Sequence, residues 1–242
     1  MFVNNHQRDV TIISEVHPQF IGDKKELTRM ILQSKIGGAD FVKVQLYDSL
    51  KLFGDKKREY LEISEKELKD INNYCKEIDI NLTASIFNES MIDWCEKLDF
   101  KVYKIASRTV SENPELCKKI ISTNKKIIIS LGMYDFEKKG KPFEAENISY
   151  MYCVSKYPTS LLDIKMPDFD KSFFKGYSDH TIGVEAIMYA VSRGAKIIEK
   201  HFSNFKNLNV DTQMAHICSM NLDELSTIRS SIDAITLLRY KK

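Results

Sequence analysis

Short apolar runs alternate with amphipathic segments along nearly the whole chain. Most of these runs are four to six residues long, rich in β-branched residues and apolar on both faces. This pattern is typical of strands that are buried in a parallel sheet. The predicted strands are Val10–Ser14, Phe41–Gln45, Leu82–Ile86, Val102–Ile105, Lys126–Ser130, Tyr150–Val154, Gly176–Tyr177 and Lys196–Glu199.

The segments between the runs have the apolar period of a helix, about 3.6 residues. Lys24–Ile36 is one such segment, and Ser64 with Glu67 forms a capping box that opens a helix to Lys76. Further helices are predicted over Glu89–Leu98, Glu115–Ser122, Val184–Ser192 and Asp223–Leu238.

Eight strands in βα order, without a linker-like stretch, predict one closed (β/α)8 TIM barrel of the α/β class. Residues 1–242 are therefore expected to form a single domain, and 242 residues suit one undecorated barrel. The helices after strands five and six are expected to be short or missing, because Asp135–Asn147 and Asp163–Ser172 contain proline and few apolar repeats. A flavodoxin-like sheet of five or six strands is the weaker alternative.

Composition narrows the class of protein. Hydrophobic residues make up 43% of the chain, and the net charge of +2 comes from Lys and Arg that are spread rather than clustered. No nucleic-acid partner and no membrane association are therefore expected. The N-terminal segment is polar, no apolar run is long enough for a membrane span, and the five cysteines form no C-x-x-C pair. These features predict a cytoplasmic protein with reduced thiols.

The chemistry of a TIM barrel lies where its strands end. Lys43 and Lys104 stand inside apolar runs, where a charge is costly unless it is paired or binds a ligand. Two such lysines with hydroxyl groups nearby favour a phosphate or carboxylate ligand, and a salt bridge inside the barrel is the alternative. The polar residues at the predicted strand ends are Glu15, Lys43, Gln45, Ser85, Lys104, Ser107, Ser130, Tyr157, Ser178, His180 and His201.

His180 and His201 end two consecutive strands, so their imidazoles are expected to converge. Two neutral imidazoles with water suit Mn, Fe, Co or Zn, and two hydrogen-bonding histidines are the alternative. His216 is either a further ligand or an exposed residue, and the role of His17 stays open. The basic residues 56–58 are expected to form a solvated loop, with a phosphate clamp as the alternative. Gly132 either presents its N–H to an anion or forms a plain turn.

Eight rim motifs occur in the order found in the sialic acid synthases, so the chain resembles the NeuB family from about Val10 to Met220. GYSDHT and the EKHF part of the last motif are the most specific. The motifs are IISEV, FVKVQ, TASIFN, YKIAS, IISLGM, YPTS, GYSDHT and IEKHF.

The resemblance implies a TIM-barrel synthase that condenses phosphoenolpyruvate with an open-chain sugar aldehyde such as N-acetylmannosamine. The product is a sialic-acid-like 3-deoxy-2-ketoaldonic acid, phosphate is released, and the pathway is surface polysaccharide biosynthesis. The divalent metal, Mn²⁺ with Mg²⁺ or Co²⁺ as alternatives, is expected on His180 and His201. The catalytic positions that the resemblance implies are Glu15, Tyr157 and Asp211. The substrate-binding positions are Lys43, Gln45, Ser85, Lys104, Ser107, Ser155 and Ser178.

The chain departs from the family pattern at three sugar-side positions and at its end. Residues 19–22 replace an Asn-His-Asn-Gly turn, Arg108 and Thr109 stand where an acidic residue is usual, and Ser155 replaces an asparagine. The chain stops at Lys242, so the C-terminal antifreeze-like (SAF) domain is expected to be absent. Either another chain then supplies the lid or the substrate does not require one, and the expected protein partner is a second copy of the chain in a homo-oligomer or a separate lid domain.

Two other classes of function stay open. One is another metal-dependent barrel enzyme, an aldolase or lyase that uses the same anion and metal site. The other is a non-catalytic barrel that serves as a binding or regulatory subunit.

Overall fold

Each predicted apolar run forms a strand in the structure, a computed structural model that describes residues 9–208 and 213–240. The strands pair in parallel with their neighbours in chain order, and the first also pairs with the last, which closes the predicted TIM barrel. They are β1 (Thr11–Glu15), β2 (Phe41–Leu46), β3 (Asn81–Ile86), β4 (Val102–Ile105), β5 (Lys126–Ser130), β6 (Ile148–Cys153), β7 (Phe174–Asp179) and β8 (Ile197–His201).

The predicted amphipathic segments form the outer helices, with most bounds within one or two residues of the prediction. The capping box at Ser64 and Glu67 is present, and the Asp23 side chain caps the first helix by accepting from two backbone N–H groups. The helices are α1 (Lys24–Ile36), α2 (Ser49–Phe53), α3 (Glu65–Glu77), α4 (Ser90–Lys97), α5 (Ser107–Glu112), α6 (Pro114–Ile121), α7 (Phe136–Lys139), α8 (Glu185–Ser192), α9 (Gln213–Ile217) and α10 (Leu222–Tyr240).

The sequence prediction was wrong at the ends of the last two strands. It ended them at Tyr177 and Glu199, whereas β7 continues to Asp179 and β8 to His201. Polar residues extend these strands because each has a partner on its own face: Lys200, on the outer face, forms a buried ion pair with Asp179 at 2.5 Å. The three short helices α2, α5 and α9 were also not predicted, since none has an apolar repeat long enough to recognise.

The flank after β5 and β6 has little helix, as predicted. It carries only the short α7 and a 3-10 turn at Leu161–Asp163. Aromatic rings fill the space, with centroid separations of 5.0 Å for Phe136 with Phe174 and 5.6 Å for Tyr150 with Phe173. All five cysteines are buried. Across the described residues, no helix is both long and apolar enough to cross a membrane.

The inside of the barrel is divided into an apolar floor and a polar upper layer. The floor is a separate hydrophobic cluster of Ile13, Val102, Ile128 and Met151, against which the inward-facing Ile197 packs. The charged strand-end residues lie above it, so any ligand bound at the carboxyl ends meets polar groups over an apolar base.

The floor has an inward position without a side chain, at Gly176. A Cβ at this position would stand 2.7 Å from the Cβ of Ile197 and 2.4 Å from its carbonyl oxygen. The β8 residue therefore occupies the space that a β7 side chain would need.

Arg229 ties α10 to the opposite, amino-terminal end of the barrel. Its guanidinium is 2.6 Å from Asp40 and donates to the carbonyl oxygens of Gly38 and Val10. Gly38 ends α1 with φ of +92°, and a Cβ there would lie 2.7 Å from Arg229 Cγ, so the glycine serves both the helix end and this contact.

Arg229→Ala is expected to lower the free energy of unfolding by about 3 kcal/mol, because it removes a mostly buried ion pair and the donors of two backbone carbonyls. Urea unfolding followed by circular dichroism measures the change. Ser230→Ala, one residue on and exposed, is the control and should change stability by less than about 0.5 kcal/mol. Equal, small effects of both substitutions would contradict the structural role of Arg229.

Candidate active site

A cavity at the carboxyl ends of the strands brings together most of the residues predicted from the sequence. Ser155 contacts this set from the side, and Asp211 lies outside the described residues. The cavity is lined by Glu15, Lys43, Gln45, Ser85, Phe87, Lys104, Ala106, Ser107, Ser130, Cys153, Tyr157, Ser178, His180, Glu199 and His201.

Two lysines and two carboxylates form a buried ionic cluster in this cavity. Lys43 Nζ lies 2.7 Å from Glu15 Oε2 and 2.8 Å from Glu199 Oε2. Lys104 Nζ lies 3.9 Å from Glu199 Oε1 and donates to Ser130 Oγ at 2.8 Å. The predicted alternative of a salt bridge inside the barrel is therefore present for both lysines, and an anionic ligand would have to compete with these carboxylates or share the lysines with them.

Glu199 is a cavity-lining residue that the sequence prediction missed. The EKH segment does carry the signal, because side chains two residues apart in a strand share a face. Glu199 and His201 both face the cavity, while Lys200 between them faces the outer helices. A carboxylate at that position in an apolar strand needs a cation, and Lys43 supplies it.

Burial and neighbouring charges separate the protonation behaviour of the two carboxyl groups and of Lys104. Burial raises the pKa of Glu15 to about 7, which Glu199 reinforces and Lys43 opposes. Burial would also raise the pKa of Glu199, but Lys104 and Lys43 outweigh it and lower the value to about 2. Burial lowers the pKa of Lys104 to about 8. Glu15 is therefore the carboxyl of this cluster that can exchange a proton near neutral pH.

Serine hydroxyls surround the ionic cluster. Ser178 Oγ donates to Glu199 Oε1 at 2.9 Å, and the hydroxyls of Ser107 and Ser155 are 3.1 Å apart. Ser85 on β3 is level with Lys104 on β4. This arrangement provides hydroxyl donors beside two cations, the combination that binds phosphate and carboxylate groups.

His180 and His201 meet as predicted, with their ring centroids 6.0 Å apart. His180 Nδ1 donates to the carbonyl oxygen of Val154 at 2.7 Å, and His201 Nδ1 donates to Gln19 Oε1 at 3.0 Å. Each ring therefore keeps Nε2 as a free acceptor. Burial lowers the pKa of His180 to about 4 and that of His201 well below its ordinary range, so both rings are neutral at pH 7.

This donor set fits a divalent transition metal. Two neutral imidazoles with their Nδ1 atoms fixed by hydrogen bonds are what such an ion requires of histidine ligands. Within residues 9–208 and 213–240, no group of three His, Cys, Asp or Glu side chains could hold a metal ion.

Gln19 is a second residue that the sequence prediction did not assign. It lies in the turn after β1, is fully buried, and fixes the orientation of the His201 ring through its side-chain oxygen. The nearby Gln45, a predicted substrate-side residue, lines the cavity and donates to the carbonyl oxygen of His17 at 3.2 Å. No strand or helix period reveals such a contact, since it depends on the path of the turn.

Tyr157 packs against both histidines, with its ring centroid 4.0 Å from His180 and 5.8 Å from His201. Burial raises the pKa of its phenol well above the ordinary value, so it stays a neutral hydrogen-bond donor. His17 and His216 lie outside the cavity lining. His17 Nε2 is 3.3 Å from the Tyr47 hydroxyl, and His216 Nδ1 is 2.8 Å from Ser203 Oγ.

Gly132 follows β5 where the chain passes close to the end of β6. A Cβ at this position would lie 2.5 Å from both Cys153 Sγ and Ser155 Oγ. The absence of a side chain thus allows the close packing that places Ser155 beside Ser107.

The chain is similar in sequence and in structure to known proteins. A model described as the NeuB family matches residues 30–241. An uncharacterized protein of Methanocaldococcus jannaschii is 33% identical over 81% of this chain and 63% of its own length. The N,N'-diacetyllegionaminic acid synthase of Campylobacter jejuni is 28% identical over 89% of this chain and 74% of its own length. The chain thus spans roughly two thirds to three quarters of these relatives.

A solved structure shows the same architecture. The N-acetylneuraminic acid synthetase of Leptospira borgpetersenii, crystallised with citrate, superposes with a TM-score of 0.85 and 25% identity over 100% of this chain and 90% of that one. The matched residues include Lys43, Lys104 and Glu199 of the ionic cluster and both histidines of the pair. Glu15, the remaining member of the ionic cluster, lies before the matched range. This chain belongs to the NeuB family.

Proposed function

We propose that this protein condenses phosphoenolpyruvate with an open-chain sugar aldehyde to form a sialic-acid-like 3-deoxy-2-ketoaldonic acid and phosphate. One observation carries the proposal: a buried cluster of two lysines and two carboxylates lies beside a pair of neutral imidazoles whose Nε2 atoms are free. Family membership and the legionaminic acid synthase among the relatives support the same chemistry.

The lysines and serines would hold phosphoenolpyruvate. Lys43 and Lys104 supply positive charge, and Ser85, Ser107 and Ser178 supply hydroxyl donors for its carboxylate and phosphate oxygens. The apolar floor beneath them limits water, so these charges act in a low dielectric and fix the geometry of attack.

The balanced reaction joins C3 of phosphoenolpyruvate to the aldehyde carbon. Water adds to C2, and the C2–O bond to phosphate then breaks to leave a ketone. Of the two protons that the water loses, one leaves with the phosphate and the other balances the proton that the aldehyde oxygen gains. Glu15 is suited to hold that proton in transit, because its pKa is about 7 in a cavity where Glu199 stays ionised. Binding an anion beside Lys43 would favour the protonated form of Glu15 further.

The imidazoles of His180 and His201 would hold a divalent cation, for which we propose Mn²⁺ with Mg²⁺ or Co²⁺ as alternatives. When bound, such a cation would act as a Lewis acid and polarise the aldehyde oxygen. Tyr157, packed on both rings, would restrict their rotation and offer a neutral hydroxyl to the ligand.

Phosphate release from phosphoenolpyruvate with Mn²⁺ is expected only when a suitable aldose or N-acyl hexosamine is present, and a chelator should abolish it. A colorimetric phosphate assay over a panel of acceptors measures this, with His201→Ala as the inactive control. Carbon–carbon bond formation without phosphate release would instead identify an aldolase or lyase. Absence of both turnover and phosphoenolpyruvate binding would favour a non-catalytic barrel.

Affinity for phosphoenolpyruvate is expected to fall as the pH rises through about 8, because Lys104 binds the anion as a cation and its pKa is about 8. The groups that face it are Glu199, Lys43, Cys153 and Glu15, and Glu199 acts most strongly among them to keep it charged. Isothermal titration calorimetry between pH 6.5 and 9.5 measures the trend.

Lys104→Gln should weaken binding at pH 7 by at least about tenfold and remove the step near pH 8. The exposed Lys101, at the other end of the same strand, provides the control Lys101→Gln, which should keep the wild-type profile. A step near pH 8 that persists in Lys104→Gln would assign the titration to another group.

Gln19→Leu is expected to weaken Mn²⁺ binding by roughly 10- to 100-fold, since it removes the acceptor that orients His201. Electron paramagnetic resonance of free Mn²⁺ measures the affinity without turnover. Gln19→Glu keeps an acceptor oxygen and should bind within a few-fold of wild type. Gln33→Leu, which removes a side-chain amide on α1, is the control. Unchanged affinity in Gln19→Leu would refute the positioning role.

A further inference from the structure

Two arginines from different loops converge on one aromatic ring at the rim of the barrel. Arg58 follows α2, and its Cζ lies 4.5 Å from the centroid of the Phe53 ring. Arg108 lies in the first turn of α5, and its Cζ lies 5.4 Å from the same centroid. Each contact is a cation–π interaction, and together they hold two like charges close to one another.

Ring contacts connect this pair to the active-site cavity. The Phe53 ring is 5.5 Å from Tyr47, which is 6.3 Å from Phe87, and Phe87 lines the cavity. Arg108 directly follows Ser107, another lining residue. The pair therefore lies on the β2–β4 side of the rim, across the eight-stranded ring from β7, where His180 is found.

The two guanidinium groups have N–H donors without a hydrogen-bond acceptor among the described residues. Among the described residues, Arg58 forms no ion pair, and Arg108 forms one with Glu112 at 3.5 Å, where both side chains are well exposed. Neither side chain donates a hydrogen bond to another described group. The charge of Arg58 also acts on the buried Tyr47, where it opposes the rise in pKa that burial causes.

The neighbouring lysines of the same loop behave differently. Lys56 and Lys57 are exposed, as the sequence predicted for this stretch, and Lys56 pairs with Glu59 at 3.3 Å. Arg58 alone turns towards the barrel and packs on Phe53. Two planar groups with several free N–H donors match a phosphate monoester, whose oxygens accept bidentate hydrogen bonds from arginine.

We propose that Arg58 and Arg108 form a subsite for a phosphate monoester at the end of the acceptor sugar remote from its aldehyde. The proposal rests on the proposed function, in which the aldehyde lies near the histidines and the rest of an open-chain sugar extends across the cavity. The preferred acceptor is then a sugar phosphate rather than a neutral sugar.

Calorimetry compares N-acetylmannosamine with its 6-phosphate, with saturating phosphoenolpyruvate and a chelator to prevent turnover. Wild type should bind the 6-phosphate at least about tenfold more tightly. This preference should disappear in Arg58→Gln with Arg108→Gln and persist in Lys56→Gln with Lys57→Gln, which removes the same charge. Equal affinities in wild type, or equal loss in both double variants, overturn the proposal.

The variant Arg58→Lys with Arg108→Lys keeps the charge but removes the planar pairs of N–H donors, and it also shows whether the fold is preserved. It should melt near the wild-type temperature and retain only part of the preference for the 6-phosphate over the neutral sugar. Full retention of that preference would overturn the bidentate assignment. A hexuronic acid separates the two anion classes: if it binds more tightly than the sugar phosphate, the phosphate assignment is wrong.

Turnover distinguishes this proposal from the proposed function. Preference for the sugar phosphate without phosphate release from phosphoenolpyruvate with any acceptor would support the subsite and contradict the synthase. Phosphate release with equal kcat/KM for neutral and phosphorylated acceptors would support the synthase and overturn the subsite.

Discussion

The contact of Glu199 with two lysines is the interaction on which the site depends. It places a carboxylate 2.8 Å from Lys43 and 3.9 Å from Lys104 in the interior of the barrel, where unpaired charges cost several kcal/mol each. Such a cluster exists only because eight strands close and bring β2, β4 and β8 to one axis. The same contact keeps Glu199 ionised while Glu15 remains able to take up a proton, so the electrostatics of the cavity follow from the topology.

Much of the fold could be predicted from the sequence, because buried parallel strands are apolar on both faces and α1 and α3 carry clear period and cap signals. The prediction failed where polar residues continue a strand, as at Asp179 and His201. Asp179 pairs with Lys200 of the neighbouring strand and His201 with Gln19 of the turn after β1, and a single-strand pattern does not contain that information. The short helices α2, α5 and α9 were missed because none contains an apolar repeat long enough to recognise.

The candidate site was predicted in outline by its residue types. Lys43, Lys104, His180 and His201 stand out as polar groups at apolar strand ends, and the structure brings them together. Glu199 could have been predicted, because side chains two residues apart in a strand share a face and His201 is two residues away. Gln19 could not, because its contact with His201 depends on the turn after β1.

The floor beneath the site is shared between neighbouring strands. Gly176 leaves its inward position empty, and Ile197 of the next strand fills the space. The nearest atom is the carbonyl oxygen of Ile197, which belongs to the backbone and stays in place whatever side chain β8 carries. Any side chain at position 176 therefore requires β7 and β8 to move apart. The depth of the cavity at this point is set by the spacing of two paired strands, whereas the chemistry of the charged layer above it depends on side chains.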